Sequence, residues 1–271
     1  MTPDTAPDFV HALAKGLDIL SAFGGGQTLG NQDLVRLTGL PKATVSRMTA
    51  TLVALGYLKA DPYTRKFQMG TRVLGMGATV QREVGLVRVA RPHMEALSLA
   101  TGLTVSLATR DRLGMVFLEV CRPPTQTRLV TNTDVGSVLP LATTSIGLAY
   151  TVAAPVKERS HILQGLSRRY PQEWTQMRQN IEQAHRSYER HGFVVTQRAW
   201  GRDVNGVGVP LALPERHALF AFHCAGPTSQ LPLARIRRDI GPRLLAIVAR
   251  VAEAVRAPPD YQLVEPQIHQ P

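Results

Sequence analysis

A chain of 271 residues, 44% hydrophobic and 19% charged, has the balance of a folded protein and the length of two domains, which excludes a largely disordered polypeptide. The formal charge of +11 admits a nucleic-acid partner without locating it, because residues 1–84 carry a net +3 and the remainder +8. No apolar run approaches the roughly 20 residues of a membrane span. MTPDTAPDFV lacks the basic start and apolar core of an export signal, and Cys121 and Cys224 are too few for a disulfide framework. The expectation is a cytoplasmic protein without membrane contact.

The first helix is predicted over 9–23. There Phe9, Leu13, Leu17 and Leu20 form one stripe, flanked by Ala12, Gly16, Ile19 and Phe23, and Gly24, Gly25 and Gly26 end the periodicity. A second helix fits 30–38, closed by Gly39. A third fits 41–55, with Pro41 in its first turn and Gly56 as terminator. Residues 57–59 and 65–69 then read as two strands around the turn sequence Asp61-Pro62-Tyr63-Thr64. Residues 71–84 are helix-compatible despite Gly75 and Gly77, and are assigned as a linker.

A helix over 86–101 follows, with a break expected at Pro92, then strands at 103–110 and 115–122. Helices fit 144–154, 157–166, 175–191 and 231–256; strands fit 192–197, 204–211 and 218–225. Short strands alternating irregularly with helices favour an antiparallel sheet flanked by helices over a doubly wound parallel one, an α+β chain. The predicted domains are 8–70, a linker at 71–84, and 85–257, with residues 258–271 expected to be disordered.

The spacing of Val35, Gly39 and Val45 carries the first functional signal. A branched residue at 35 lets two helices approach, Gly39 permits the sharp turn between them, and Val45 packs the second helix on the first. Val45, Met48, Leu52 and Leu55 are then predicted to point inward, which leaves Lys42, Ala43, Thr44, Ser46 and Arg47 near the outward N-terminal side. Such residues suit a major groove: Arg and Lys bond guanine, Ser and Thr bond base edges or phosphate, and Ala meets a thymine methyl. A three-helix packing module with a solvated polar face has the same spacing. The hairpin that follows favours DNA binding, since Lys59, Arg65 and Lys66 at its tip are placed to contact phosphate.

The runs AKGLDILSAFG, LVRLTGLPKATVSRMTATLVALGYL and KFQMGTRVLGMG resemble the DNA-binding half of the isocitrate-lyase-regulator (IclR) family of bacterial transcription regulators. TGLTVSLATRD, GSVLPLATTSIGLAY, HGFVV, NGVGVPL and FHCAGPTSQL continue the resemblance in order through about residue 256. It implies an N-terminal winged helix-turn-helix, a linker helix that helps dimerise, and a C-terminal GAF-like domain. It also implies homodimers or homotetramers on double-stranded operator DNA, with small organic acids, aromatic ones included, as effectors. Two departures stand out. Gly30 and Pro41 replace the family's usual capping hydroxyls, and Val195-Thr196-Gln197-Arg198 replaces a segment that is acidic in many relatives.

Thr143, Thr144 and Ser145 precede an apolar helix, and hydroxyls with free N–H groups at a helix start make an anion site; simple N-capping is the alternative. By alternation Phe222 and Cys224 face one side of their strand while Ala221, His223 and Ala225 face the other. The resemblance makes that second side the ligand face, with Gly206 beside it and Ser145 and Ile146 across. An enzyme is disfavoured because no G-x-S-x-G elbow, phosphate loop or H-E-x-x-H occurs; no cofactor is expected, and His185 and His191 read as solvated and not as metal ligands. A C-terminal domain that only assembles subunits is the remaining alternative.

Overall fold

The computed structural model describes residues 8–23, 27–83, 85–124, 134–198 and 203–256. The glycine run at 24–26 and the 258–271 tail lie outside these residues. The chain divides into two compact units, a smaller one formed by the residues up to Gly85 together with a short segment ending at Ser137, and a larger one formed by the rest from Leu86 onward.

The first unit contains α1 (His11–Ser21), α2 (Asn31–Thr38), α3 (Lys42–Ala54), β1 (Leu58–Ala60), β2 (Phe67–Met69) and α4 (Arg72–Glu83). Gly39 caps α2 in the left-handed region at φ 70°, and its N–H reaches Val35 O at 2.9 Å, so the turn between α2 and α3 requires this glycine. Ile19, Phe23, Leu29, Leu34, Val45, Leu52 and Leu58 form the core. The predicted stripe on α1 is corrected here. Leu13 and Leu17 are 62% and 51% exposed, and Ile19 and Phe23 face inward instead. The helix carries more apolar positions than so small a unit can bury, and periodicity alone does not choose among them. On α3, Leu55 is likewise exposed and Thr49 takes an inward place, its hydroxyl donating back to Val45 O at 2.9 Å.

The second unit is built on an antiparallel sheet. Its strands are β3 (Thr104–Asp111), β4 (Gly114–Cys121), β5 (Val138–Pro140), β6 (Val194–Thr196), β7 (Val204–Leu213) and β8 (Ala218–Pro227), in the order β5-β4-β3-β8-β7-β6. Helices α6 (Ser145–Ala153), α7 (Val156–Arg169) and α8 (Trp174–His191) pack a core of Phe117, Leu141, Ile146, Ile162, Ile181 and Ala221. Helix α5 (Leu86–Thr101) packs on β3 and β4, and α10 (Gly241–Arg256) on β7 and β8.

Three expectations change. Pro92 does not break α5: it sits on the exposed side, where water can serve the freed carbonyl, while Leu86, Ala90, Met94 and Leu97 anchor the opposite face. The last helix is interrupted. A short α9 (Leu233–Arg235) leads into a π-turn at Ile236–Ile240 before α10, whose first residue, Gly241, lies so close to the Phe193 ring that no side chain fits there. Strand β5 has no counterpart in the sequence reading; it is three residues long, and edge placement accommodates Pro140.

Candidate functional site

The recognition surface starts at Pro41, the N-cap of α3. Lys42, Ala43, Ser46 and Arg47 are exposed along the first turns and Thr44 is half-buried, while Val45 and Thr49 are fully inside. Two buried anchors one turn apart hold the helix, so its polar face is presented rigidly. The missing hydroxyl at Gly30 is offset by Asp33, whose carboxylate accepts the Gly30 N–H at 3.1 Å. Arg72 was not anticipated: its guanidinium donates to Leu55 O at 3.0 Å, closing the C-terminal end of α3, and lies 5.6 Å over the Tyr57 ring.

The wing tip is organised by Asp61. Its carboxylate accepts from the Tyr63 N–H at 2.8 Å and the Thr64 N–H at 3.2 Å, and these bonds hold its pKa below the usual carboxylate value. Asp61 N–H bonds Lys66 O at 2.9 Å, and the side chains of Arg65 and Lys66 emerge into solvent. A further bridge pairs Leu29 with Phe67, tying the wing to the segment before α2.

In the second unit the geometry centres on two glycines of β7. Gly206 and Gly208 point to the same face, and α6 begins directly upon it: a Cβ at Gly208 would run into the backbone carbonyl of Ser145. A Cβ at Gly206 would stand 2.5 Å from Ser145 Oγ, 3.0 Å from His223 Nε2 and 3.4 Å from Thr196 Oγ1. Three polar side chains from α6, β8 and β6 therefore converge where Gly206 leaves space. Ser145 Oγ and Thr196 Oγ1 are buried there without a hydrogen-bond partner among the described residues, as is His223 Nδ1, the ring nitrogen other than the one facing Gly206; unpaired buried atoms of this kind are costly unless another group bonds them. Burial lowers the His223 pKa from 6.5 to about 4, so the ring is neutral at physiological pH and offers one donor and one acceptor. The residue keeps some accessible surface although Nδ1 does not.

Thr144 is the N-cap of α6, donating to Pro140 O at 2.7 Å and accepting from Gly147 N at 3.3 Å; its hydroxyl is committed to the backbone. Ile146 is fully buried in the core, and Ala225 pairs in register with Gly206. Thr143 lines a cavity of about 470 Å³ with Leu148, Asn180, Gln183, Thr196 and Arg198 among its neighbours. Thr196 belongs both to this cavity and to the cluster at Gly206. Sequence reasoning missed Asn180 and Gln183, and it named Thr196 only within the segment Val195–Arg198, without its place opposite Gly206. The register that sets Thr196 opposite Gly206 is not readable along the chain, whereas Asn180 and Gln183 are legible as polar residues beside the buried stripe Met177, Ile181 and Ala184.

The far end of α6 is fixed independently. The Tyr150 hydroxyl donates to Glu158 Oε1 at 2.7 Å and Arg110 donates to the same oxygen at 2.9 Å; burial, then the bond to Glu158, raises the Tyr150 pKa to about 12. His185 lies 3.3 Å from Arg159, and His191 stacks on Phe193.

A helix-turn-helix with a basic wing, followed by an antiparallel-sheet domain with an enclosed polar cluster, defines a DNA-binding transcription regulator with a C-terminal effector domain. Residues 12–62 match the IclR helix-turn-helix domain, and residues 78–256 match the bacterial transcriptional regulator IclR C-terminal domain. The chain belongs to the IclR family of transcriptional regulators. It is 52% identical over 270 residues to the HTH-type transcriptional regulator TsaQ1/TsaQ2 of Comamonas testosteroni, covering 98% of this chain and 97% of that protein. It is also similar to the crystal structure of an IclR family transcriptional regulator from Brucella abortus, 39% identical with a TM-score of 0.78, over 93% of this chain and 97% of that one. An IclR homologue from Microbacterium hydrocarbonoxydans complexed with 4-hydroxybenzoate shares the fold at 20% identity, with a TM-score of 0.69 over 91% of this chain and 100% of that one.

Proposed function

We propose that this regulator reads double-stranded operator DNA with Lys42, Ala43, Thr44, Ser46 and Arg47 on α3 and with Arg65 and Lys66 on the wing. A small organic acid, aromatic acids included, bound at Ser145, Gly206 and His223 then changes its operator affinity. The observation that carries the sensing half is that Ser145 Oγ and Thr196 Oγ1, buried without partners among the described residues, converge with His223 Nε2 on the space at Gly206. A carboxylate needs several donors, and two hydroxyls, an imidazole N–H and the first N–H groups of α6 supply them without a buried cation. Thr143 lines the approach; Thr144, Ile146 and Ala225 shape the site by fixing α6 and β8. In this reading the chain is a cytoplasmic sensor and not an enzyme, and among the described residues no helix is long and apolar enough to cross a membrane.

Arg47→Ala is expected to weaken operator binding by about 1–3 kcal/mol and to relax preference at one base position, because an exposed guanidinium on this helix reads a base edge. Lys66→Ala is expected to weaken all sequences alike and to lower the salt dependence. Gel-shift titrations against operator variants distinguish the two; equal, sequence-independent losses contradict the assignment.

The protein is further expected to bind as a symmetric dimer, or a pair of dimers, on half-sites about one helical turn apart, roughly 34 Å, since one recognition helix covers too few bases for useful specificity. Footprinting combined with sedimentation checks this. Protection of a single half-site, or a monomer at assay concentrations, contradicts it.

A further inference from the structure

The cavity beyond the Gly206 cluster is lined largely by polar groups. Thr143, Asn180, Gln183, Gln197 and Arg198 outnumber the apolar Leu148, Ala184 and Val195, and among the described residues no lining residue is acidic. We propose that the effector is an acid with two anionic ends, one seated at Ser145, Thr196 and His223 and the other at Arg198. This rests on the reading of the Gly206 cluster as the effector site.

Arg198 is placed by the backbone. Its φ is 44°, in the left-handed region that a side chain enters reluctantly, and its N–H is held by Asn205 Oδ1 at 3.0 Å. Asn205 is itself buried and donates to Leu231 O at 2.9 Å, so the turn that aims Arg198 is anchored in the interior. The guanidinium meets Asp203 at 3.8 Å, but both side chains are more than two-thirds exposed, at 82% and 72%, so that pairing is weak and exchangeable for a ligand carboxylate.

A single-headed acid with an apolar tail would set that tail beside the exposed Gln183, Gln197 and Arg198, which stay hydrated and add nothing to its binding. A second oxyanion matches them. Thr196 and Arg198 are two residues apart, so their Cα atoms are separated by no more than about 7 Å, within the span of a short skeleton. The amide of Asn180 already donates to Ala142 O at 3.3 Å and its oxygen accepts from Gln176, which fixes its orientation at the cavity wall.

The test is calorimetric titration of the full-length protein with matched pairs: butanoate against butanedioate, hexanoate against hexanedioate, and benzoate against benzene-1,4-dicarboxylate. For at least one skeleton the diacid is expected to bind about tenfold or more tighter than its monoacid, as a charge-assisted bond allows. Arg198→Gln is expected to remove that advantage, and Arg198→Lys to restore it only in part because the planar fork is lost. Monoacids that bind as tightly as diacids on every skeleton, or an Arg198→Gln loss that is equal for both, overturn the proposal while leaving the effector site in place. Absence of binding by all six acids overturns the proposal and the effector-site reading together.

Discussion

Gly208→Ala is expected to destabilise the second unit by about 3 kcal/mol, lowering its melting temperature by roughly 10 °C, whereas Gly206→Ala two residues away should leave the fold nearly unchanged. The difference follows from what each added methyl group meets. At 208 it strikes the carbonyl and backbone of Ser145, and α6 cannot retreat because its other end is held through Tyr150 and Glu158. At 206 it meets Ser145 Oγ, His223 Nε2 and Thr196 Oγ1, all ends of side chains, and the serine can rotate away. The cost at 206 falls on ligand binding instead. Thermal denaturation followed by circular dichroism separates the cases, and equal losses at both positions would mean that α6 does not rest on β7 as described.

Ser145→Leu is expected to reduce acid binding at least about hundredfold, because it removes a hydroxyl donor to a charged group and fills the space above Gly206. Its side chain is enclosed, at 1% exposure, with Oγ unpartnered, so nothing else in the protein depends on that oxygen for a hydrogen bond among the described residues. Ser145→Ala is the milder companion, expected to lose about tenfold without added bulk. Calorimetry with any acid bound by the wild type reads both. If each variant retains wild-type affinity, the acid binds elsewhere and the cluster has some other purpose.

Where local chemistry determines structure, the chain was readable. Gly39 marks the turn between α2 and α3 because its positive φ needs no context, and the Asp61 turn announces the wing. The identity of the inward face of α1 was not readable, since both Leu13–Leu17 and Ile19–Phe23 satisfy a helical stripe and only the position of the core decides. Pro92 misled for a related reason: propensity speaks against it, and the buried stripe from Leu86 to Leu97 overrides it. The hydroxyl triplet at the start of α6 mixed two roles. Thr144 serves the backbone as a cap, while Ser145, one residue on, turns its hydroxyl to the space over Gly206. Thr196 completes that cluster through sheet register, a long-range fact that no spacing along the chain encodes.

The claim that binding at the Gly206 cluster governs DNA affinity is tested most directly by measuring operator binding with and without a bound acid. A ligand shifts this equilibrium only by its different affinities for two states, and coupling of the usual size changes the operator Kd by about 5- to 150-fold. Fluorescence anisotropy on labelled operator DNA, with wild-type protein saturated by an acid that calorimetry shows to bind, should show a change of that order. An operator Kd that stays the same for every acid that binds contradicts the account.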